Sequence, residues 1–298
     1  MKVFITGANG FVGHWLMEWL TSCGDEVYCL PSDVDINDED RLEKEVERFS
    51  PDAFYHLAAL SHVGDSWGNP REVFKVNALG TLNVTEVLKR ACPSARLLLV
   101  SSAEVYGKVS EIDLPITENL DIKPSTPYAA SKVAAEYIGL QAVTTGLDVV
   151  IVRPFNHVGP GQSDKFVVAA LAKRIIEAKK LNKAYISVGN LSSKRDYTDV
   201  RSVVKCYRQL ITGGRTGEIY NVCSGIARSV SDIAYRLMEL AGVTIEFRID
   251  QNLARGSDVP VLVGDSTKVQ QATGWQVDVD FDRTLEDILN FWDQKKVD

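Results

Sequence analysis

The feature that most constrains the fold is a glycine-rich turn between a short strand and a helix. The stretch KVFIT has the apolar pattern of a buried strand, and GANGFVG follows it directly. HWLMEWLTSCG then carries apolar residues at helical spacing, and a second apolar strand, EVYCL, comes next. Strand, helix and strand within about 30 residues predict a βαβ unit with parallel strands.

The alternation of strands and helices continues through the first half of the chain. A helix with a charged face, a strand, a long helix from Asn69-Pro70 to Pro93, the strand ARLLLVSS, a further helix and the strand LDVVIVRPFN follow in turn. Continuous apolar strands separated by helices are typical of a parallel sheet covered on both faces. The predicted fold class is therefore α/β, with a Rossmann-type doubly wound parallel sheet.

The pattern of alternation becomes looser after residue 160. Four more amphipathic helices and the strand AYISVGNL can be placed there, without regular alternation. We expect residues 1–160 to form a dinucleotide-binding domain, with a segment of about 199–223 returning to the main sheet. Residues 161–198 and 224–298 are expected to form a smaller C-terminal α/β domain that binds the substrate.

Gly7, Gly10 and Gly13 form a GxxGxxG motif between the first strand and its helix. The first glycine permits a tight turn, the second lets the backbone approach a pyrophosphate, and the third allows close packing of helix and strand. Glycines also occur in ordinary turns, but this position after a strand favours dinucleotide binding.

The sequence offers two alternatives for the residues at the adenosine end of the dinucleotide. Asp33 stands about 20 residues past the glycines, where a carboxylate often binds the ribose. No arginine lies between Gly13 and Arg41, which favours NAD over a cofactor with a 2′-phosphate. The alternative is that Asp33 only forms a turn. Asp35 and Ile36 are then expected to end a third strand against the adenine.

Tyr128 and Lys132 are four residues apart on a predicted helix, so their side chains share one face. A nearby ammonium stabilises a phenolate, and we therefore expect Lys132 to lower the pKa of Tyr128 and make its hydroxyl a usable proton donor. Ser102, at the end of the preceding strand, can hold the same substrate oxygen. The alternative is an ordinary amphipathic helix with a snorkelling lysine.

Composition excludes several classes of function. A net charge of −7 argues against wholesale binding of nucleic acid or an anionic membrane. The five cysteines are odd in number and lack CxxC spacing, and the four histidines are scattered, so reduced thiols and no metal site are expected. No apolar stretch approaches the roughly 20 residues that span a bilayer, and MKVFITGANG reads as a strand rather than a signal peptide. A cytoplasmic location is expected.

The motifs GANGFVG, HLAA, SSAEVYG, YAASK and RPFNHVGPGQ together resemble the extended short-chain dehydrogenase/reductase family, also described as NAD-dependent epimerases/dehydratases, which modifies nucleotide sugars. The resemblance covers essentially the whole chain. RPFNHVGPGQSDKFV, VGNLSSKRDYTDVRSVV, YNVCSGIARSV and RGSDVPVLVGDSTKVQQATGW are most similar to members that use NAD(P)H to reduce the C4 ketone of GDP-4-keto-6-deoxy-D-mannose.

The resemblance implies roles for particular residues. It makes Ser102, Tyr128 and Lys132 the catalytic residues. The cofactor would be lined by the following residues: Gly7, Gly10, Phe11, Val12, Gly13, Asp35, Ile36, Leu57, Ala58, Ala59, Asn77, Tyr128 and Lys132. The substrate would contact a second set: Glu104, Asn156, Phe166, Val167, Arg195, Arg255 and Asp258.

Two details of the substrate set have alternatives. Arginines suit a diphosphate because a guanidinium makes two charge-assisted hydrogen bonds to phosphate oxygens. Arg195 stands beside Asp196 and near Asp199, so a surface ion pair is its alternative role, and the same alternative holds for Arg255. His157 follows Asn156 just past a strand end and is interpreted as structural rather than catalytic.

Glu104 leaves a second activity open. The dehydratase branch of the family has a hydroxyl residue, any residue and a glutamate at the positions of Ser102, Ala103 and Glu104. That glutamate removes a proton next to a transient C4 ketone. The alternative function is therefore a GDP-mannose 4,6-dehydratase, or another nucleotide-sugar epimerase/dehydratase with tightly bound NAD(P). The stretches after residue 155 and the short PSDVDI segment favour the reductase, with Glu104 as a polar wall of the pocket.

The expected partners are a GDP-sugar substrate and a second copy of the chain. PREVFKVNALGTLNVTEVLKRA and YAASKVAAEYIGLQAV carry apolar and small residues beyond one narrow stripe. In the family, such a helix pair forms a four-helix seam in a homodimer. Burial of both helices within one monomer predicts much the same pattern.

Overall fold

Six parallel strands form the central sheet of the computed structural model, which describes residues 1–250 and 260–295. Their order across the sheet is β2-β1-β3-β4-β5-β9. The strands are β1 (Lys2–Thr6), β2 (Glu26–Cys29), β3 (Ala53–His56), β4 (Arg96–Val100), β5 (Val149–Pro154) and β9 (Ile219–Val222). This arrangement confirms the predicted Rossmann-type α/β fold.

Helices cover both faces of this sheet because successive side chains of each strand point to opposite sides. Val3 and Ile5 of β1 pack in one apolar cluster, and Phe4 between them packs in another. The first cluster lies under α1 (Phe11–Ser22), α8 (Val200–Gly213) and α10 (Thr267–Thr273). The second lies under α2 (Glu39–Phe49), α5 (Gly80–Ala91) and α6 (Pro127–Thr144).

The connection from β3 to α5 contains α3 (Val63–Ser66), α4 (Pro70–Phe74) and a π-helical turn (Lys75–Leu79). α4, the π-helical turn and α5 follow one another without a break, so the long helix predicted from Asn69-Pro70 to Pro93 is present with an irregular turn inside it. Single π-helical turns inside α-helices are often found near functional sites.

The predicted strand that would end at Asp35 and Ile36 is wrong. Residues 31–38 form turns instead, in which Asp35 Oδ1 accepts from the backbone N–H of Asn37 at 2.9 Å. Asp38 then caps α2 by accepting from the backbone N–H of Arg41. Only Val34 and Ile36 are buried here. These eight residues hold an aspartate that forms a turn and another that caps a helix, so no strand can form in them.

The remaining elements form a second α/β layer built around β8 (Lys194–Asp199). β8 pairs with β6 (Asn156–Val158), β10 (Ala227–Ser229) and β12 (Val261–Leu262), while β7 (Tyr185–Val188) pairs with β11 (Glu246–Ile249). Three helices, α7 (Val167–Lys180), α9 (Val230–Leu240) and α11 (Phe281–Gln294), share one apolar cluster beside these strands. β6 begins two residues after β5 ends, so this layer adjoins the carboxyl ends of the central strands.

Three further properties of the described residues bear on function. Within 1–250 and 260–295, no helix is both long and apolar enough to cross a membrane. The same ranges hold no group of three or more His, Cys, Asp or Glu side chains placed to bind a metal ion. All five cysteines are free thiols.

Candidate active site

A cavity of about 390 Å³ opens where the carboxyl ends of the central strands meet the second layer. It collects many of the residues predicted from the sequence. These are Gly7, Gly10, Phe11, Val12, Gly13, Leu57, Ala58, Ala59, Ser102, Glu104, Tyr128, Lys132, Asn156 and Phe166.

The glycine-rich turn forms one wall of the cavity. Gly7 has φ +77, and a Cβ there would lie 2.7 Å from the backbone nitrogen of Ala58. A Cβ on Gly13 would lie 2.3 Å from the carbonyl oxygen of Gly7. Side chains at these two positions would therefore force the turn away from its neighbours.

The amino terminus of α1 fits a pyrophosphate. Gly10 is its N-cap, no side chain caps it, and its first turn holds no acidic residue. The first backbone N–H groups of α1 therefore remain available at the cavity, at the positive end of the helix dipole. A dinucleotide is the anionic ligand that this combination of glycine turn and open helix end suits best.

The candidate catalytic side chains come from two neighbouring elements. Thr126 caps α6 by accepting from the backbone N–H of Ala129 at 3.0 Å, and Pro127 occupies its first turn. This start places Tyr128 and Lys132 on successive turns that face the cavity. After β4, Ser102 Oγ accepts from the backbone N–H of Glu104 at 3.2 Å and so begins the 3-10 helix Ala103–Tyr106.

Lys132 is buried, and its Nζ donates to the carbonyl oxygen of Val100 at 2.8 Å. Burial lowers the pKa of this lysine to about 8, while the charge of Glu136 opposes that change. The ammonium is therefore fixed at the end of β4 and is close to its titration range.

The phenol of Tyr128 is less acidic than the sequence predicted. Burial raises the pKa of Tyr128 to about 12, a hydrogen bond with Ser102 lowers it, and the charge of Glu104 raises it. The expectation that Lys132 would make this phenol unusually acidic is wrong here, because desolvation is the largest influence on the phenol and Lys132 is anchored to Val100. Tyr128 is accordingly a neutral hydroxyl, able to donate a proton.

His157 belongs to the cavity, although its sequence position suggested a structural role. Its Nδ1 bonds the carbonyl oxygen of Phe155 at 3.1 Å, which requires a proton on Nδ1 and leaves Nε2 as an acceptor. Its ring stacks on Phe11, with ring centroids 6.2 Å apart. Burial lowers the pKa of His157, which keeps the imidazole neutral. The signal in the sequence was its place directly after Asn156 at a strand end.

Other lining residues were not predicted either: Ser61, Val63, Val100, Ser101, Ala103, Pro154, Phe155, Gln162, Tyr207 and Leu262. Most of them adjoin predicted positions at the ends of β3, β4 and β5, so strand ends were the available signal. Tyr207 on α8 and Leu262 in β12 come from distant parts of the chain, and only the tertiary fold brings them to the cavity.

Several predicted residues do not line this cavity. Asn77 is buried and bonds Leu60 and Ser131, and Ile36 packs against Gly80. Asp35 bonds Asn37. Val167 is the first residue of α7, and Arg195 lies in β8. Arg255 and Asp258 fall outside the described residues.

Asp33 is paired with a cation. Arg41 donates to its carboxylate at 2.7 Å and to its backbone carbonyl oxygen at 2.7 Å. This ion pair lowers the pKa of Asp33. Asp33 is therefore part of the turn after β2 in this structure, with its carboxylate held by Arg41.

Comparisons with known proteins find similarity to enzymes that act on nucleotide sugars. The family described as GDP-mannose 4,6 dehydratase matches residues 31–288. A GDP-6-deoxy-D-mannose reductase of Pseudomonas aeruginosa is 36% identical over 298 residues, which is 99% of this chain and 98% of the relative.

Two solved structures are similar over nearly their whole length. RMD from Pseudomonas aeruginosa, complexed with NADPH, has a TM-score of 0.91 and 36% identity, with 98% of each chain covered. A UDP-glucose 4-epimerase of Thermus thermophilus, in complex with NAD, has a TM-score of 0.88 and 27% identity, with 99% of each chain covered.

Proposed function

The chain belongs to the GDP-mannose 4,6 dehydratase family, and from that premise we propose that it is an NAD(P)H-dependent 4-ketoreductase of a GDP-sugar. The substrate would be GDP-4-keto-6-deoxy-D-mannose and the product GDP-6-deoxy-D-mannose, also called GDP-D-rhamnose. The observation that carries the proposal is the placement of Ser102, Tyr128 and Lys132 in one cavity with the glycine-rich turn. The reductase of Pseudomonas aeruginosa, at 36% identity, supports the choice of substrate.

The cofactor would be held by the glycine-rich wall of the cavity. Gly7, Gly10 and Gly13 leave room for its pyrophosphate, and the open amino terminus of α1 supplies N–H donors. Leu57, Ala58 and Ala59 line the same wall, after β3. When bound, NAD(P)H supplies the hydride for the ketone carbon. The solved relatives with NADPH and with NAD support either form of the cofactor.

The side chains at the reacting carbonyl would stabilise and then protonate its oxygen. Tyr128, with its raised pKa, is neutral and gives a proton to the alkoxide oxygen as that oxygen becomes negative. Ser102 Oγ, which accepts from Glu104, keeps its own proton to donate to the same oxygen. Lys132, one turn further along α6, adds positive charge to the cavity and orients the cofactor ribose.

The nucleotide part of the substrate would be held by the second layer. Asn156 and Phe166 line the cavity beside the catalytic residues. We assign the diphosphate to Arg195 and Arg255, the base to Phe166 and Val167, and the nucleotide ribose to Asp258, as the family resemblance implies. Remote binding of this kind fixes the sugar near the reactive groups.

A dehydratase is the second candidate function, and Glu104 favours it. This carboxylate lines the cavity, and its charge acts directly on Tyr128. A base in that place can remove a proton beside a C4 ketone. In a dehydratase the nicotinamide is reduced and reoxidised within one cycle, whereas the reductase consumes it.

We also propose a cytoplasmic homodimer. Phe74, Leu79, Leu82 and Tyr137 are exposed apolar side chains on α4, the π-helical turn, α5 and α6. α5 packs against α6, so these residues lie on two adjacent helices that a second copy could cover. The five free thiols fit a reducing compartment.

The test is a product assay with GDP-4-keto-6-deoxy-D-mannose and either NADH or NADPH. We expect one reduced cofactor to be consumed per sugar, measured by loss of the reduced nicotinamide's absorbance, and an NMR spectrum showing a C4 hydroxyl group. GDP-mannose incubated alone should stay unchanged. Conversion of GDP-mannose to a keto sugar without net cofactor consumption would contradict the reductase and support the dehydratase.

Glu104→Gln separates the two candidates further. A reductase with Glu104 as a polar wall keeps most of its ketone reduction, within about tenfold, because the proton comes from Tyr128. A dehydratase loses its activity because the base is gone.

A further inference from the structure

A buried polar cluster lies directly behind Lys132, and the proposed reaction does not use it. Its centre is the ion pair of Glu136 and Arg153, whose side chains are only 2% and 5% exposed. Arg153 donates from Nη2 to Glu136 Oε2 at 2.7 Å and from Nε to Oε1 at 2.9 Å. Ser101 Oγ donates to the same Oε1. We call Glu136, Arg153 and Ser101 the Glu136 cluster.

The position of the Glu136 cluster ties it to the candidate catalytic residues. Tyr128, Lys132 and Glu136 follow at intervals of four on α6, so they occupy successive turns of one buried face. Ser101 comes directly before Ser102, and Arg153 is the next-to-last residue of β5. The carboxylate is thus fixed from β4 and β5, at the strand ends that carry the cavity.

Of the two charges in the Glu136 cluster, the negative charge of Glu136 is the one that acts on Lys132. The charge of Glu136 favours the protonated lysine and opposes the effect of burial. Arg153 acts on Glu136 and on Tyr106, whose hydroxyl accepts from Arg153 Nη1 at 3.0 Å. Lys132 lies one turn of α6 from Glu136, whose carboxylate Arg153 and Ser101 hold from the neighbouring strands.

We propose that Glu136 is a positioning residue that keeps the ammonium of Lys132 charged in the buried cavity, with Arg153 and Ser101 holding the carboxylate in place. The proposal rests on the proposed function, because Glu136 would maintain the charge of a lysine that the proposed reaction uses. A buried ion pair by itself is weak evidence for stabilisation, since an apolar pair of similar volume often serves equally well. A role in charging Lys132 gives a reason for a carboxylate at this place.

Other titratable groups lie on the helix of Lys132 itself and on the neighbouring elements, although the charge that acts on Lys132 is that of Glu136. They are Tyr128 on α6, His56 on β3, Glu104 after β4, Arg153 on β5, His157 in β6 and Tyr207 on α8. His56 is held neutral, and its pKa is depressed partly by the charge of Lys132. Glu104 acts on Tyr128.

The test is the pH dependence of kcat/KM in the wild type and in Glu136→Gln. Lys132 must be charged, so activity falls as pH rises through its pKa, which is about 8 in the wild type. Without the carboxylate, we expect this basic limb to move down by about one pH unit. The two proteins should be nearly equal at a pH of about 6 and about eightfold apart at a pH of about 8.5. An unmoved basic limb would overturn the proposal.

Two further variants exclude a merely structural effect. Glu136→Gln/Arg153→Met removes both charges, so it leaves no stranded guanidinium, and its basic limb should move as far as that of Glu136→Gln. If the limb returns to the wild-type position in the double variant, the shift came from unpaired Arg153 and the proposal is wrong. Asp25→Asn, which breaks a similar arginine pair with Arg208 at the opposite end of the sheet, should lower stability without moving the limb.

A direct titration of Lys132 separates this inference from the proposed function. In protein labelled with carbon-13 at lysine Cε, the Lys132 signal is assigned by its loss in Lys132→Met. We expect its pKa to be lower in Glu136→Gln than in the wild type, whatever sugar the enzyme reduces. A lowered pKa without ketone reduction would reject the proposed function alone, and an unchanged pKa would reject the role of Glu136.

Discussion

His56, the last residue of β3, is held neutral between two hydroxyl groups. Thr6 Oγ1 lies 2.8 Å from its Nδ1, and Thr81 Oγ1 lies 3.1 Å from its Nε2. Thr81 donates its own proton to the carbonyl oxygen of Asn77 at 2.7 Å, so its oxygen accepts from Nε2–H. Burial, and then the charge of Lys132, lower the pKa of His56 to about 3.

This neutral imidazole predicts a loss of stability in acid. Below the ordinary histidine pKa of 6.5, His56 binds a proton in the unfolded chain but stays neutral in the folded protein. The free energy of unfolding therefore falls as the pH drops toward 3. Between pH values of about 6.5 and 5 the loss from this group is about 2 kcal/mol. Urea unfolding should show this loss in the wild type and not in His56→Gln, whose amide can make both hydrogen bonds. Equal pH slopes in the two proteins would contradict the account.

At the residue scale, the spacing of residues along the sequence predicted which side chains meet in the cavity, but it did not predict their pKa values. The four-residue interval of Tyr128 and Lys132, and the place of Ser102 after a strand, brought the three to one cavity. The pKa of Tyr128 was predicted in the wrong direction, because its burial and the nearby charge of Glu104 depend on the tertiary fold. The hydrogen-bond partners of Asn77 could not be predicted from the sequence either.

The π-helical turn Lys75–Leu79 is an element whose geometry follows from one buried amide. Asn77 Oδ1 accepts from the backbone N–H of Leu60 at 2.8 Å, and its Nδ2 donates to Leu60 O at 3.2 Å and to Ser131 Oγ at 2.9 Å. The turn thus joins the segment after Ala58 and Ala59 to α6. The family resemblance implies that Asn77 lines the cofactor, which stays a prediction, and in the structure its amide holds the segment that follows Ala58 and Ala59.

Asn77→Ala should destabilise the protein by about 3 kcal/mol, because it removes the three hydrogen bonds of a buried amide and frees the segment after β3. The affinity for NAD(P)H should fall with it by about tenfold, since Ala58 and Ala59 lose their support. Ser131→Ala removes one of the three hydrogen bonds and should cost about 1 kcal/mol. Urea unfolding and fluorescence titration of the cofactor measure both effects. Equal effects of the two substitutions would count against this role of Asn77.

Element boundaries were predictable where local chemistry decides them. Asn69-Pro70 opens the predicted long helix, and Thr126-Pro127 opens α6. The π-helical turn was not predictable, because hydrogen bonds to distant Leu60 and Ser131 support it. The strand placed at Asp35 and Ile36 failed because local turn and capping hydrogen bonds outweighed the apolar alternation of Val34 and Ile36.

At the scale of the whole molecule, exposed apolar side chains on the α5–α6 side predict assembly. Leu79 is 53% exposed and Tyr137 61% exposed. Light scattering should give twice the chain mass of 32.9 kDa for the wild type. Leu79→Glu should give the monomer mass, because a buried charge at the seam costs several kcal/mol. Ile112→Glu, at a 90% exposed position outside these helices, should stay dimeric. A monomeric wild type, or a dimeric Leu79→Glu, would contradict the seam.

The second layer marks the limit of sequence-based prediction at this scale. β6 and β10 have three residues each and β12 has two, so none has a periodic signal of its own. These short strands form because their backbones pair with β8. In β6, for example, Asn156 is paired with Tyr197 of β8. Asn156 reaches the cavity through this pairing, which local patterns do not reveal.

The central claim is that Tyr128 gives the proton to a ketone oxygen in the cofactor cavity, and Tyr128→Phe tests it most directly. Affinity for GDP, measured by calorimetry, should stay within about twofold of the wild type, while turnover of GDP-4-keto-6-deoxy-D-mannose should fall by about 10²–10⁴. Tyr185→Phe, which removes the hydroxyl of an exposed tyrosine on β7, should change neither. Retained turnover in Tyr128→Phe, or equal losses of GDP affinity and turnover, would contradict the account.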